Sequence, residues 1–352
     1  GVDAADFWAQ YDHMYIPELG HNVSVTDYAH TLYIRASWTD FNPQEDVYGW
    51  KIDSNLRAYI EGAYQRNMRL AFRVVVDSRD KRTEFTPQFV KDAGAKGFMN
   101  KGKWSPYSDD SVFQKYYTKF VKALAKDFND PSKVEFIDGF GLGKWGEYHT
   151  MIYSTGDDTP KKAVFDWVTD IYSQAFDKVP VVINYHRWIG AGKDWVDDEH
   201  FAADSEEMLE EAIKKGYSLR HDAFGMTTYY GSWERRFAKK YRNICPIIME
   251  GGWIVKSHSY WQDPRGYRKD SHEDVRRGEF DDSKEAHVNM MDFRFGDTES
   301  WFKDAFDLVR RFLREGGYRL YPSEISLPLE VSKTTTPTIK HCWNNLGWGY
   351  CP

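Results

Sequence analysis

The chain has 352 residues, and 47 Lys and Arg stand against 54 Asp and Glu for a formal net charge of -7. An acidic balance argues against a nucleic-acid partner, which needs a clustered basic surface, and no apolar run approaches the ~20 residues of a membrane span. The 14 Trp, 23 Tyr and 22 Phe make up 17% of the chain; this excludes disorder, and the Trp and Tyr suit surfaces that are part apolar and part wet, such as sugar faces.

In chain order, the first clear strand pattern is Thr31–Ala36, with room for another before residue 31. A helix follows over Ile52–Arg66, with Leu56, Tyr59, Ile60 and Ala63 at helical spacing, and then a strand over Arg69–Val76. After the long insertion Asp77–Asp110 comes a helix over Ser111–Phe128, with Phe113, Tyr117, Phe120, Val121 and Leu124 on one face. Strands at Val134–Phe140, Val179–Tyr185, Ser218–Phe224 and Ile244–Glu250 then alternate with helices at Lys161–Phe176 and Ser205–Lys215. A second insertion, Lys256–Glu285, precedes a strand near Asn289–Gly296 and a helix over Glu299–Arg314.

Most of the strand runs are continuously apolar, as strands buried on both faces are. Six such strands alternating with helices, with room for one before residue 31 and one near Asn289–Gly296, predict an α/β fold, a (β/α)8 TIM barrel over residues 1–316. A doubly wound sheet would show a Gly-rich nucleotide loop. Gly139–Gly146 follows a strand but lacks the Lys-Ser/Thr ending of a phosphate loop. Past Gly316-Gly317, Tyr318–Val331 and Thr338–Trp343 read as the first strands of a C-terminal β-sandwich over residues 317–352. So short a segment cannot close a sandwich. It is either an opening fragment or a lid on the barrel.

Cys342 and Cys351 lie close enough in sequence to pair if the protein is exported, and Cys245 reads as a buried small hydrophobe. The chain starts at Gly1 with no basic or apolar leader, so it is cytosolic or has lost a signal peptide.

Two glutamates stand out. In Gly139–Thr150 (GFGLGKWGEYHT) a buried strand runs into glycines and then into Glu147, flanked by Trp145, Tyr148 and His149. A partly dry, aromatic setting raises a carboxyl pKa, as a general acid requires. In Ile244–Gly252 (ICPIIMEGG), Glu250 closes an apolar strand and is followed by two glycines and Trp253. A carboxylate there is functional or paired, with Asn184, Arg187, Arg220 or His221 as candidate partners. About three βα units of ~30–35 residues separate the two glutamates, which puts them at the ends of strands 4 and 7 if Thr31–Ala36 is strand 2.

Glutamates at those two strand ends resemble the clan A retaining glycoside hydrolases. That resemblance implies acid/base for Glu147 and nucleophile for Glu250, and a strand 1 near Met14–Leu19. The stretch Trp38–Asp53 (WTDFNPQEDVYGWKID) is similar to the segment after strand 2 of these enzymes. "WGEYH", Gly317–Leu320 (GYRL) and Trp343–Pro352 (WNNLGWGYCP) resemble a group of bacterial glycosidases with a barrel and a trailing β-sandwich. One position departs: Gly146 stands where clan A enzymes carry Asn. A Gly-Glu pair after strand 4 resembles the inverting β-amylases instead.

Other strand-end groups are candidate sugar contacts: Arg35 and Trp38 at strand 2, Asn184, His186 and Arg187 at strand 5, and Arg220, His221 and Asp222 at strand 6, with Tyr229 and Tyr230 beyond. Trp145, His149 and Trp253 join them beside the two glutamates, and the resemblance implies that Tyr229 or Tyr230 bonds the nucleophile. Arg73, deeper in its strand, reads as a brace. Phe72, Phe120, Phe128, Phe136, Phe165, Phe306 and Phe312 fall at core spacing. Trp38, Trp104, Trp145, Trp188, Trp233, Trp253 and Trp261 fall at or after strand ends, where a sugar-stacking groove is expected. No metal-ligand or cofactor motif is met.

The expectation is therefore an enzyme, a glycoside hydrolase with a carbohydrate substrate, no metal and no cofactor. It would be secreted, periplasmic or at the cell surface, its signal peptide already removed. The alternatives are an inverting glycosidase using Glu147 as acid and a non-catalytic carbohydrate-binding barrel.

Overall fold

The computed structural model describes residues 2–193, 200–226, 229–252, 272–293, 298–334 and 336–352, without the side chains of 272–274. They fall into two compact units, residues 1–222 with 228–234, and residues 223–227 with 235–352.

The first unit carries four complete parallel strands and most of a fifth. They are β2 (Thr31–Ser37), β3 (Arg69–Val75), β4 (Val134–Asp138), β5 (Val181–Asn184) and β6 (Ser218–Phe224). The pairs β2–β3, β3–β4, β4–β5 and β5–β6 are all parallel, with Arg35 opposite Arg73 and Asn184 opposite Arg220. In the second unit β7 (Ile247–Gly251) and β8 (Met290–Asp292) pair in parallel, with Glu250 opposite Asp292. Within each unit strand order is the order in the chain, from β2 to β6 in the first and from β7 to β8 in the second. A doubly wound sheet reverses its order at a switch point. An order without reversal, with helices between consecutive strands, is the TIM-barrel type of α/β fold.

The strands are buried because their residues leave no polar face. All of β5 and β7 is buried, as is β3 after its first residue. The helices are amphipathic around them. Ser111–Phe128 buries Phe113, Tyr117, Phe120, Val121 and Leu124 on one stripe and is capped by Asp110, whose carboxylate accepts from Phe113 N. The helices Asn55–Gln65, Lys161–Ala175 and Ser205–Lys214 fall where the apolar periodicity places them. The predicted final helix is two, Thr298–Asp304 and Phe306–Glu315, with Ala305 between them. Of the Phe expected at core positions, Phe312 is only half-buried.

One strand expectation is corrected. The segment Met14–Ile16, expected as the first barrel strand, pairs antiparallel with His21–Val23 outside the parallel sheet. The insertion Asp77–Asp110 contains a short helix, Gln88–Asp92, and a hairpin of Gly97–Asn100 with Lys103–Pro106. Beyond the last helix, β9 (Leu320–Ser326) and β10 (Lys340–Asn345) form an antiparallel hairpin with a bulge between Pro322 and Glu324. Every residue of both strands is exposed. The flanking motifs do meet: Gly349 N donates to Gly317 O at 2.7 Å, and Trp348 Nε1 donates to Val288 O at 2.9 Å. Cys342 and Cys351 are both free and exposed, and Cys245 is buried. No helix is long and apolar enough to cross a membrane among the described residues.

The aromatic groove is corrected too. Trp38 has no exposed surface. It sits in the turn Trp38–Phe41, whose Ser37 and Asp40 form a reciprocal cap, with its ring against Phe89, Phe113, Tyr117 and Phe120. Trp104, Trp188 and Trp233 are buried as well, and Trp253 and Trp261 lie outside the described residues. Of the seven, Trp145 alone is described as exposed, at 39%.

Trp38→Ala should therefore cost roughly 3–5 kcal/mol of stability, against within about 0.5 kcal/mol for Trp145→Ala. Denaturant unfolding checks this, and equal losses would contradict the division of the aromatics into packing and exposed sets.

Candidate functional site

Glu147 is set by a loop that leaves β4 and turns on itself. Lys144 N donates to His149 O at 2.9 Å, Gly146 N to Gly143 O at 3.1 Å and Tyr148 N to Leu142 O at 3.0 Å. So tight a path puts Trp145, Gly146, Tyr148 and Thr150 at positive φ, of 60°, 75°, 63° and 43°. Three of these are not glycine, and such backbone strain collects at functional sites. Outside donors hold the loop's carbonyls. Tyr217 Oη donates to Gly139 O at 2.8 Å, Tyr117 Oη to Phe140 O at 3.1 Å and Val76 N to Gly141 O at 3.1 Å. The carbonyl of Glu147 itself accepts from Asn184 Nδ2 at 3.3 Å and from His186 Nε2 at 3.1 Å.

His186 Nδ1 accepts from Trp188 N at 3.2 Å, so the ring proton sits on Nε2 and the ring is neutral. Burial, seconded by His149, holds its pKa well below the ordinary histidine value, in agreement.

The Glu147 carboxyl is 6% exposed and lies among buried charges. Arg73 on β3 bonds Oε1 through Nη1, and the same Nη1 reaches Trp145 O at 3.3 Å. Arg220 Nη2 on β6 stands 3.5 Å from Oε1. Both guanidiniums share Asp138 Oδ2 at the end of β4, Arg73 Nε at 3.3 Å and Arg220 Nε at 3.6 Å. Tyr33 on β2 closes the network, accepting from Arg73 Nε at 3.0 Å and donating to Asp138 at 2.8 Å. On the other side, His149 Nε2 lies 3.8 Å from Glu147 Oε2 and 2.9 Å from Asp222 Oδ2. Burial raises the Glu147 pKa and the Asp222 charge adds to it, against the pull of Arg73 and Arg220. Burial would raise Asp222 too, but the charge and hydrogen bond of His149 outweigh it and hold Asp222 well below the usual range. Two neighbouring carboxyls pushed apart in this way mark one as proton holder and the other as anion.

Glu147, His149 and Asp222 each bring a ligand-type atom within 4.8 Å of the others. A dication there would compete for a carboxyl that Arg73 and Arg220 already face, and would be repelled by both.

The structure thus gathers Glu147, His149, Asn184, His186, Arg220 and Asp222, all expected as site residues, around one carboxyl. Arg35 on β2 is half-buried, with its guanidinium 5.5 Å from the Tyr33 ring. Tyr229 is half-buried. Arg187 goes elsewhere: fully buried, it bonds Glu234 through Nη1 at 2.9 Å and through its backbone N at 3.0 Å. It is a brace, not an open sugar contact. Tyr230 is buried and bonds Tyr185, Oη to Oη at 3.1 Å, beside the His221 ring. Burial takes His221 down to about 3, so it is neutral. Arg73 braces as expected, but onto the candidate acid itself.

Sequence reasoning missed Asp138 and Tyr33. An Asp inside the apolar run VEFID was the available signal. Gly146 also receives a structural reason. A Cβ there would stand 3.3 Å from both Arg73 Cδ and Val75 Cγ2, at a φ of +75°. The place of the clan A Asn is filled by β3.

In the second unit Glu250 is 2% exposed at the C-terminal end of β7. Gly251 after it packs against the carboxylate of Glu279, which bonds Arg276 Nη1 at 2.7 Å. Both of these charged residues are buried, and neither was anticipated.

No protein-family model matches the chain, and no curated protein does. Among solved structures, xylanase B from Clostridium stercorarium F9 is 13% identical over 82% of this chain and 83% of that one, at a TM-score of 0.45. Xylanase10C from Cellvibrio japonicus with xylopentaose is 11% identical over 75% and 50%, at 0.46. The exo-beta-1,4-mannosidase Op5Man5 from Opitutaceae bacterium strain TAV5 is 12% identical over 78% and 48%, at 0.43. Likenesses this distant decide no activity.

A raised carboxyl pKa means that the folded state holds a proton the unfolded chain has released, so stability falls as pH rises above the ordinary glutamate range. Glu147→Gln removes that loss. The variant should match the wild type in acid and exceed it at neutral pH, as denaturant unfolding across pH will read. A wild type that is the more stable at neutral pH would contradict the direction.

Proposed function

We propose that the chain is a glycoside hydrolase acting on a polysaccharide or oligosaccharide, with Glu147 as acid/base and Glu250 as nucleophile. One observation carries the proposal: a buried carboxyl at the end of β4, biased toward its protonated form and faced by two guanidiniums. A proton on Glu147 can pass to the leaving glycosidic oxygen. The carboxylate left behind is then received by Arg73 and Arg220. Those two cations favour the charged form, which exists only after the transfer, so they lower the barrier more than they stabilise the resting site. Glu250, at the corresponding end of β7, would attack the anomeric carbon to form a glycosyl-enzyme. Glu147 would then take a proton from the water that hydrolyses it. The reading requires both carboxyls to face one glycosidic bond. Polymeric sugars are met outside the cytosol, so the proposed place of action is secreted, periplasmic or cell-surface.

The packing of Gly146 onto Arg73 and Val75 favours a second reading, inversion with Glu147 still the acid. Retaining clan A enzymes bind the sugar with an Asn at the position where this loop carries Gly146.

Screening plant and algal polysaccharides gives the substrate. On it, Glu147→Gln should lose about 10²–10⁴-fold in kcat, and Glu250→Gln should abolish turnover. Near wild-type rates in either variant sink its assignment, and substrate binding without turnover in the wild type would make the protein a binder. The anomer first released, read by proton NMR, separates the two mechanisms: the substrate's own configuration is expected for the Glu147–Glu250 pair, the opposite one for inversion.

A further inference from the structure

The Glu147 carboxyl has a second carboxyl close by that the proposed reaction does not use. Asp222 and Glu147 bring oxygens within 4.8 Å of each other. Asp222 is a neighbour of the acid, and the proposed nucleophile is Glu250. The bond of Asp222 to His149 is short, 2.9 Å to Nε2, and that nitrogen also faces Glu147 Oε2 at 3.8 Å. The His149 ring is held in place by stacking on His186, with centroids 4.2 Å apart and planes at 28°, and by the edge of Trp145.

We propose that Asp222 and His149 form a positioning dyad that keeps the acid proton on Glu147, a role that rests on Glu147 being the acid of the reaction. With the Nε2 proton of His149 donated to Asp222, none is offered to Glu147 Oε2. An ionised Glu147 would face the Asp222 anion directly. A proton on Glu147 turns that repulsion into a carboxyl-to-carboxylate contact.

Every element around Glu147 contributes a group. Tyr33 on β2 and Asp138 on β4 hold the guanidiniums, and Arg73 on β3 and Arg220 on β6 pull toward the anion. Lys81, from the loop after β3, is a further cation, and burial holds its pKa below the ordinary lysine value. His186 after β5 and His221 on β6 are kept neutral by burial. Against these cations, burial and then the Asp222 charge favour the proton on Glu147, while the charge of His149, 3.8 Å from Oε2, is directed at Asp222 at 2.9 Å. Two macroscopic steps then belong to the pair, as in any closely coupled carboxyl dyad.

Carbon-13 NMR of protein labelled at the glutamate carboxyls tests this without a substrate. Glu147→Gln identifies the Glu147 signal by its loss. In the wild type that signal should titrate above the ordinary glutamate range. In Asp222→Asn its midpoint should fall by about 1 unit or more, and Asp222→Glu should restore it in part. A wild-type midpoint in the ordinary range overturns the dyad, and needs no Asp222 variant to do so. An unchanged midpoint in Asp222→Asn overturns it as well. A high midpoint in a protein that cleaves no sugar refutes the hydrolase and leaves the proton device standing. An ordinary midpoint in an active enzyme does the reverse.

Discussion

The bond between Arg73 and Glu147 is the interaction on which the first unit's interior depends. Both groups are almost out of water, and a guanidinium buried there without an acceptor would be costly. Each neighbour can be read as a response to that fact. Tyr33, Asp138 and Arg220 come from three further strands and share the charge out until each guanidinium has a carboxyl to face. Parallel strands in chain order make this possible, because their register brings side chains from β2, β3, β4 and β6 within reach of one another. A buried ion pair is poor evidence of stability by itself. Here it is better understood as fixing where one carboxyl sits and how it holds a proton.

The backbone follows the same logic. A loop with three backbone bonds inside itself would still be free to hinge at β4. Tyr117 and Tyr217 prevent that by donating from the packed helix side to the carbonyls just past the strand. Asn184 and His186 do the same at Glu147. The side chain is thus presented from a backbone bonded at both ends, which is the kind of preorganisation that acid catalysis needs.

Much of this was legible in the residues. Apolar runs located β2 through β7, and helical spacing located Ser111–Phe128 to the residue. The glycine-rich exit of β4 and the Glu behind it identified the centre of the site. What was not legible depends on long-range pairing. Nothing in the local pattern couples Arg187 to Glu234, and the helix Ser232–Tyr241 that carries Glu234 is so charged (SWERRFAKKY) that its buried face is hidden in composition. Met14–Ile16 has the right residues for a strand, but it pairs with the next few residues, and periodicity does not say with whom a strand pairs. The tryptophans misled for a related reason. A strand end can open to the mouth or dive under a capped turn, and Trp38 takes the second course because Ser37 and Asp40 close that turn over it.

The left-handed residues around Glu147 carry a consequence for how this chain would respond to selection. Trp145, Tyr148 and Thr150 occupy backbone conformations that cost roughly 1–2 kcal/mol each for residues with a Cβ. A β-branched residue at position 150 is the least suited of the three. A search for thermostable variants would therefore be drawn to Gly or Asn at these positions, since the folded state gains what the strain withholds. Those gains would come from relaxing the frame that aims the carboxyl. A stability screen run without an activity readout would enrich for a sturdier protein with a blunter acid.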